Sequence, residues 1–460
     1  MRRKILLLNP PGKLFYMRDY FCSKISKASY YSHPIDFVIL SGILSREYDV
    51  TVLDCIAERI SPEDAAAQAS RSHPDIIIFL AGAVSMDEDM PFLKKVKEMT
   101  PAFMIGSGDV FLDYAKLLLQ KHLFIDAVLL DFATDDILKF LGNREASFDN
   151  VVYRDGDEVI ERIRRNSNEM FSVPLPRHEL FKHEKYVFPF SREKIFATVL
   201  TDFGCPFTCT YCPVNQFGYK VRPVQDVIEE IKRLKDLGIR EIFFKDQTFT
   251  AQKSRTEDLC RQIISEQINP SWTCFSRTET VDEELLSLMK EAGCHTVIFG
   301  VETVNQEFSA RIKRHIDQTD VSEKVRLCKK YAIETVGTFI IGLPDDTQES
   351  IRETILFAKK IPLDYASFNI FTPAHGTMIR RELIGEKLID NQVVFMDSGV
   401  SFPSASFGSL SANDVWKLRK KAILSFYFRP RYLLNRIRQC RNFHDVSRIV
   451  KQAYGLIKTL

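Results

Sequence analysis

Three cysteines, Cys205, Cys209 and Cys212, lie within one stretch of eight residues, directly after the apolar segment 195–200. Thiolates are ligands of soft metals and of iron–sulfur clusters. Three of them on one loop can hold three irons of a 4Fe–4S cluster and leave the fourth iron open for another ligand. The alternative is half of a zinc site, but structural zinc takes four protein ligands, and the sequence has no second Cys-x-x-Cys or His-x-x-x-His pair. The spacing therefore favours an iron–sulfur cluster with one open iron.

The composition is that of a globular protein in a reducing compartment. Of the 460 residues, 45% are hydrophobic and 27% are charged, which is ordinary for a soluble chain long enough for two or three domains. No apolar run reaches the roughly 18 residues of a membrane span, and segment 5–8 is too short for a signal peptide. We therefore expect a cytoplasmic protein. The remaining cysteines are interpreted as small buried hydrophobic residues: Cys22, Cys55, Cys260, Cys274, Cys294, Cys328 and Cys440.

Apolar strands alternate with helices over residues 1–145, which predicts a doubly wound parallel sheet with helices on both faces. Ligands of such a sheet bind at the carboxyl ends of its strands. Residues 146–190, with the polar segment 164–168 and prolines in 173–177, are predicted to be a linker. Strands are expected at 4–8, 49–54, 75–80 and 102–106, and helices at 34–44, 62–72 and 91–99.

A second alternation begins at Lys194 and runs through six strand–helix steps to Phe371. It predicts a partial (β/α)6 barrel over 191–380, followed by a helical C-terminal region over 381–460. In such barrels the chemistry belongs to the loops at the carboxyl ends of the strands. The residues that fall at those ends are Cys205, Asp246, Arg277, Glu302, Gly342 and Pro373.

Several motifs together resemble the radical S-adenosylmethionine (SAM) superfamily, and more narrowly its members with an N-terminal cobalamin-binding-type domain. The Cys-x3-Cys-x2-Cys loop carries an aromatic residue, Tyr211, before its last cysteine, and segment 8–11, Leu-Asn-Pro-Pro, matches the start of the cobalamin-type domain. The resemblance covers nearly the whole chain and so implies the fold of both halves. Further matches lie at 243–250, 300–303, 337–345 and 372–377.

The resemblance implies two cofactors. One is a 4Fe–4S cluster on Cys205, Cys209 and Cys212, and the other is SAM, whose amino and carboxylate groups bind the open iron. One electron from the low-potential cluster would cleave SAM to a 5′-deoxyadenosyl radical, which abstracts hydrogen from a small-molecule substrate. A flavodoxin- or ferredoxin-type protein would supply that electron.

Contacts to SAM are implied at the ends of several strands. Asp246 and Gln247 stand where the superfamily often has the Gly-Gly-Glu that binds the SAM amino group, and backbone carbonyls there can substitute. Glu302 is expected on the ribose or methionine part of SAM, the alternative being a surface salt bridge. Arg277 either pairs with the SAM carboxylate or caps its strand. The other implied contacts are Tyr211 and the stretch that matches the adenine-packing segment, Ile341, Gly342 and Leu343.

The N-terminal half departs from the cobalamin-type pattern. The Asp-x-His-x-x-Gly motif is absent, as it commonly is in radical SAM members of this type. A Gly-Gly turn of the relatives is replaced by Gly106-Ser107-Gly108-Asp109, and a Gly-Glu is replaced by Asp131-Phe132. Bulk at those turns can exclude a corrin ring, so the sequence leaves cobalamin open as a cofactor.

These alternatives give three functions. With cobalamin, the leading prediction is methylation of an unactivated carbon. Without it, the substrate radical is resolved by loss of water, rearrangement or quenching, as in an aminoglycoside deoxygenase branch of the superfamily. An iron–sulfur electron carrier or scaffold is disfavoured, because carriers close their clusters with four cysteines. Two residues are candidate hydrogen donors or acceptors: Tyr219, alternatively a packing residue, and His375, alternatively a turn contact.

The C-terminal region carries most of the positive charge. From Lys417 onward the sequence has twelve lysines and arginines and one aspartate, whereas the net charge of the whole chain is only +2. Segment 415–433, which mixes apolar and basic residues, is expected to be a helix packed on the acidic body; the alternative is peripheral contact with anionic lipid. Nucleic acid is not expected as a partner, because the body is acidic.

Overall fold

A computed structural model describes residues 2–21, 23–26, 30–142, 148–163, 170–389 and 408–439. The expectations for Cys22, Cys440, the polar segment 164–168 and the basic residues beyond 439 lie outside the described residues.

The first half of the chain forms a largely parallel sheet. Its strands are β1 (Lys4–Asn9), β2 (Tyr16–Met17), β3 (Lys24–Ile25), β4 (Asp49–Asp54), β5 (Ile76–Leu80), β6 (Phe103–Ser107), β7 (Ala127–Leu129), β8 (Val151–Asp155) and β9 (Glu158–Arg162). Seven of these strands pair in the order β4-β1-β5-β6-β7-β8-β9, and β2 and β3 form a separate hairpin. The first five strands of that order run parallel, and β8 and β9 are antiparallel.

Helices cover both faces of this sheet, as the sequence predicts. Ile76 and Ile78 pack into the core on one face and Ile77 into the core on the other, which is the alternation of a strand buried on both sides. The helices are α1 (Ile35–Leu44), α2 (Cys55–Glu58), α3 (Pro62–Arg71), α4 (Met86–Met99), α5 (Phe111–Lys121) and α6 (Asp136–Gly142).

Part of the segment predicted to be a linker belongs to the sheet. The buried residues Val151 and Val152 pair with β7, and the turn around Gly156 leads into β9. An Asp-Gly turn and its charged flanks give the same polar signal as a linker, so the sequence pattern does not separate the two. The structure differs from the linker prediction over Val151–Arg162.

The second half forms the predicted partial barrel. Its strands are β10 (Phe196–Val199), β11 (Asp202–Gly204), β12 (Tyr219–Val221), β13 (Glu241–Phe244), β14 (Ser271–Ser276), β15 (Cys294–Glu302), β16 (Glu334–Ile341) and β17 (Tyr365–Ile370). Six of these pair in parallel in the order β10-β13-β14-β15-β16-β17, and β11 and β12 form an antiparallel hairpin. The helices are α7 (Val224–Asp236), α8 (Lys253–Ser265), α9 (Glu283–Glu291), α10 (Gln306–Arg311), α11 (Gln318–Lys330), α12 (Gln348–Lys360), α13 (Met378–Gly385), α14 (Ala412–Tyr427) and α15 (Pro430–Gln439).

The C-terminal helix α14 packs on the open edge of the barrel at β17. The Tyr427 hydroxyl donates to Ala366 O over 2.8 Å and accepts from Ala366 N at 3.1 Å, and Arg419 Nε donates to Phe368 O over 3.2 Å. These bonds satisfy backbone groups that an edge strand otherwise exposes. The predicted helix packed on the body is therefore confirmed over the described residues. No helix among these residues is long and apolar enough to cross a membrane.

Candidate functional site

The cysteine loop lies between β11 and β12 at the carboxyl edge of the barrel sheet. Backbone hydrogen bonds fix it in the middle, where Thr210 N donates to Ile312 O and Thr210 O accepts from Ile379 N, both over 3.1 Å. At its start, Cys205 N donates to Gly218 O over 3.2 Å. The barrel backbone therefore positions the loop, as barrels of this kind position their catalytic loops.

Asp246, directly beyond β13, holds the residues that lead into the loop. Its carboxylate accepts from Thr201 N at 2.6 Å, from Asp202 N at 2.9 Å and from the Thr201 hydroxyl at 3.0 Å. Burial raises the pKa of Asp246 to about 6. The oxygens predicted to face the SAM amino group are thus engaged by the chain's own donors, and Gln247 beside them is half-buried.

None of the three cysteines forms a disulfide, and the protein partly shields their thiols from water. Cys209 is buried, and Cys205 and Cys212 are half-buried. The Cys205 Sγ lies 3.8 Å from the Thr248 hydroxyl, and the Arg277 guanidinium donates to Cys209 Sγ over 3.5 Å. Burial raises the pKa of the Cys205 thiol, so metal binding would have to displace its proton.

These residues fit a 4Fe–4S cluster. Three thiols on one loop match three irons, and a guanidinium beside a sulfur offsets the negative charge that thiolate ligands carry. The thiols are not gathered around one point, as they would be for a single metal ion: in the part of the chain that the structure describes, no group of three His, Cys, Asp or Glu side chains is placed to hold one.

An ionic cluster lies beside the cysteine loop; it consists of Tyr211, Arg277, Glu279, Glu302 and Arg314. Arg277, Glu302 and Arg314 are buried, Tyr211 is half-buried and Glu279 is exposed. Arg277 Nε donates to Glu279 Oε1 over 2.7 Å, and Arg314 lies 4.0 Å from the same carboxylate. The Tyr211 hydroxyl hydrogen-bonds to Glu302, next to the Arg314 charge. Two carboxylates and two guanidiniums therefore balance one another at the carboxyl ends of β14 and β15.

Burial and charge pairing act in opposite directions on two groups of this cluster, Glu302 and Tyr211, and burial has the larger effect on their pKa values. Burial raises the pKa of Glu302 and of Tyr211, and the Arg314 charge opposes both shifts. Glu302 is only 8% exposed, which excludes the surface salt bridge considered from the sequence. Its φ is 62°, a conformation that costs energy for a residue other than glycine. Such strain is tolerated where the surrounding contacts fix the residue, as they do here.

The turn after β16 is built around Gly342. Its φ is 76°, and a Cβ there would lie 2.6 Å from Val415 Cγ1 on α14. The backbone N–H groups of Gly342 and Leu343 donate to Asp346 Oδ2 over 2.9 and 3.0 Å. The sequence predicts that Gly342 leaves room for adenine. In the structure, helix α14 packs closely against this glycine.

The side chains of this strand end divide between two cores. Ile341 packs in the main barrel core, on the side of the helices. Its neighbour Ile340 and Leu343 join a smaller apolar cluster that includes Tyr211. Strand alternation therefore directs Ile340, and not Ile341, toward the tyrosine of the cysteine loop.

Tyr219 and His375 occupy different surroundings. The Tyr219 hydroxyl, on β12, donates to Asp202 Oδ2 over 3.1 Å, and burial raises its pKa above the ordinary value. His375 follows β17 and its Nδ1 lies 3.2 Å from the Tyr114 hydroxyl on α5. Its Nε2 is buried without a hydrogen-bond partner, and burial lowers the pKa of His375 to about 4.

The structure brings together Tyr211, Arg277 and Glu302 around the cysteines and adds two residues that the sequence analysis missed, Glu279 and Arg314. Glu279 follows Arg277 by two residues, a spacing that could have indicated a local ion pair. Arg314 lies beyond α10 and no local pattern points to it, because its contacts with Glu302 and Glu279 arise from folding.

Comparisons with known proteins agree with this geometry. Residues 200–358 match the radical SAM superfamily. An uncharacterized methyltransferase of Pyrococcus horikoshii is 31% identical over 437 residues, covering 92% of this chain and 93% of the relative.

Two solved structures share the fold of both halves. The radical SAM methyltransferase TsrM from Kitasatospora setae, with cobalamin and a 4Fe–4S cluster bound, superposes with a TM-score of 0.67 at 17% identity, covering 84% of this chain and 75% of TsrM. The cobalamin-dependent radical SAM enzyme OxsB, with aqua-cobalamin bound, gives a TM-score of 0.71 at 14% identity and covers 100% of this chain and 72% of OxsB. The chain therefore belongs to the radical SAM superfamily, and its N-terminal half shares the fold of the corresponding part of these two cobalamin-bound enzymes.

Proposed function

We propose that this enzyme binds a 4Fe–4S cluster through Cys205, Cys209 and Cys212 and uses SAM to remove a hydrogen atom from a small-molecule substrate. The observation that carries the proposal is the placement of three cysteine thiols on one loop, beside a charge-balanced cluster at the carboxyl edge of a radical SAM barrel. A reduced cluster supplies the electron that cleaves SAM to the 5′-deoxyadenosyl radical.

The chain's own residues position and shield this chemistry. Asp246 fixes the backbone in front of the cysteines. Arg277 supports Cys209, and Glu302 with Arg314 provides paired charges for the polar groups of SAM. The buried Nε2 of His375 is a candidate hydrogen-bonding group for substrate.

Two fates of the substrate radical are candidates. The similarity to TsrM, a methyltransferase with cobalamin bound, and to the Pyrococcus methyltransferase supports methyl transfer, for which cobalamin would be the methyl carrier. The close packing at the carboxyl edge of the N-terminal sheet favours resolution on the substrate itself by loss of water, rearrangement or quenching.

The decisive experiment is anaerobic reconstitution with iron and sulfide, reduction by dithionite and addition of SAM. We expect 5′-deoxyadenosine from the wild type and none from the triple variant C205A/C209A/C212A. Cys328→Ala, which changes a buried cysteine of the barrel core, is the matched control and should retain the activity. An intact cluster without 5′-deoxyadenosine would reject the proposal and indicate an electron carrier.

Two partners complete the proposal. A low-potential flavodoxin- or ferredoxin-type protein would reduce the cluster in the cell. Peripheral contact with anionic lipid stays a prediction. It is supported by two exposed apolar side chains, Leu424 on α14, beside Lys420 and Lys421, and Phe428 just beyond the end of that helix. Flotation with vesicles containing an anionic phospholipid, against neutral vesicles, tests it, and absence of binding to both would contradict it.

A further inference from the structure

The carboxyl edge of the N-terminal sheet is where an open parallel sheet binds its ligand, and therefore where a corrin ring would lie. In this protein a loop of the chain crosses that edge. Arg18 donates to Pro10 O over 2.8 Å, beyond the end of β1. Ser23 donates to Asp109 Oδ2 through its N–H over 2.7 Å and its hydroxyl over 2.8 Å, beyond the end of β6.

Ser23 also packs closely against the residues that follow β5. Its hydroxyl accepts from Val84 N at 3.3 Å, and a Cβ at Gly82 would lie 2.7 Å from the Ser23 Cβ. Glycine at position 82 thus makes room for the protein's own loop. The loop is attached to strand ends β1, β5 and β6, and Asp109 is one of its anchors.

An aromatic cluster fills the space between this edge and the cysteine loop; it consists of Tyr20, Phe21, Phe132, Phe203 and Phe217. The ring centroids of Tyr20 and Phe132 are 5.2 Å apart, those of Phe132 and Phe203 are 5.3 Å apart, and those of Tyr20 and Phe217 are 4.9 Å apart. These are distances of rings in direct contact. Phe132 is fully buried in this contact.

Two buried ion pairs flank the aromatic cluster and join the two halves of the chain. Lys220 on β12 lies 2.5 Å from Asp131, beyond β7, and Lys245 beyond β13 lies 2.5 Å from Asp19. All four side chains are largely buried. Asp131 and Phe132 are therefore both used in contacts with the second half of the chain.

We infer that the aromatic cluster and its two ion pairs take the place of cobalamin, and that the N-terminal domain braces the cysteine loop instead of holding a corrinoid. A corrin ring is wider than any of these side chains, and admitting one would separate rings and ion pairs that now touch across the two sheets. Phe203 precedes and Phe217 follows the three cysteines in the chain, and their ring centroids are 6.1 Å apart, so the aromatic cluster holds the two ends of the cysteine loop together. The inference rests on the proposed radical chemistry: if no cobalamin is bound, the substrate radical must be resolved on the substrate itself and not by methyl transfer from cobalamin.

Corrinoid binding is measured independently of that chemistry. The full-length protein is purified anaerobically from cells supplied with hydroxocobalamin, incubated with excess hydroxocobalamin, desalted and examined by absorbance. We expect iron and sulfide but only a trace of corrinoid. About one corrinoid retained per chain would overturn the inference, while failure of the proposed function would appear separately as an absence of 5′-deoxyadenosine.

The bracing role has its own readout in the stability of the cluster. Phe132→Ala removes a ring that contacts Phe203, and Phe140→Ala removes a buried ring in the same domain that packs on Phe148 and Tyr153 instead. Both variants are compared for thermal unfolding and for the rate at which bound iron is lost in air. We expect at least a severalfold faster loss for Phe132→Ala only, and equal rates in two variants of similar thermal stability would refute the bracing role.

Discussion

Glu302 combines three features that are unfavourable for a carboxylate. It is buried, it has a positive φ, and burial raises its pKa, yet Arg314 and Tyr211 lie against it. Strained, buried charges persist where other contacts fix them, and they occur disproportionately at functional sites. This supports a role of Glu302 in SAM binding.

Glu302→Gln should weaken SAM binding by about tenfold, equivalent to about 1.4 kcal/mol, because a charge-assisted contact becomes a neutral one. Equilibrium binding of SAM to the reconstituted protein measures the effect. Glu307→Gln, an exposed acid on α10, is the control and should bind SAM as the wild type does. Equal affinity of the two variants would remove Glu302 from the SAM site.

His375 gives a pH dependence of stability with a defined sign. Its pKa is about 4 in the folded protein against an ordinary value of 6.5, so the unfolded chain binds the proton more readily. The free energy of unfolding should fall as the pH drops through the ordinary value toward the folded one. Between about pH 7.5 and about pH 5, the contribution of this residue is about 2 kcal/mol.

Replacement of His375 by Gln should remove that contribution. Urea unfolding of wild type and variant at the two pH values gives the difference, which cancels the other titrating groups that both proteins share. A fall of equal size in the two proteins would show that His375 is protonated as easily when folded as when unfolded.

At the scale of elements, the barrel is completed by a helix that comes late in the chain. Helix α14 bonds to backbone groups of β17 through Tyr427 and places Val415 over the turn after β16. This turn carries Gly342 and Leu343, the segment expected on adenine. Helix α14 therefore lies against the turn that is predicted to contact adenine.

Gly342→Ala should destabilise the protein by at least about 1 kcal/mol, because its Cβ meets Val415 and its φ is positive. Thermal and chemical unfolding measure the change. Gly385→Ala is the matched control: at the end of α13, nothing lies within 4 Å of the new methyl group. That variant should be neutral or slightly stabilised, and similar losses in both would contradict the close contact with α14.

At the scale of the whole molecule, the two sheets are joined by buried charges. Lys245 pairs with Asp19 across the interface, close to Asp36, whose pKa burial raises to about 8. Removing one partner of a buried pair leaves an uncompensated charge, which costs more than the pair itself contributes. The interface is therefore sensitive to single substitutions and tolerant of paired ones.

Lys245→Met should destabilise the protein by about 3 to 5 kcal/mol, and the double variant K245M/D19N should recover much of that loss. A double-mutant cycle from chemical unfolding measures the coupling. Lys232→Met, which breaks an exposed pair with Glu266, should cost at most about 1 kcal/mol. Additive effects at Lys245 and Asp19 would show that the two residues do not interact.

The sequence by itself determined the cysteine loop, the two alternations of strand and helix, and the packed C-terminal helix. These depend on local information: the spacing of thiols, the period of apolar residues and the turn residues that end each element. Strand ends at Asp246, Arg277 and Glu302 were placed at the correct edge for the same reason. The strand hairpin over Val151–Arg162 was missed because a tight charged turn and a linker have the same composition.

Only the tertiary structure decided what the side chains at those ends contact. Asp246 accepts from backbone N–H groups that lead into the cysteine loop, Arg314 meets Glu302 from a different element, and Phe132 packs against Phe203 of the second half of the chain. Such partners are far apart in sequence, so no local pattern encodes them. The physical reason is that burial and charge pairing are properties of the folded interface, where residues from several elements exclude water together.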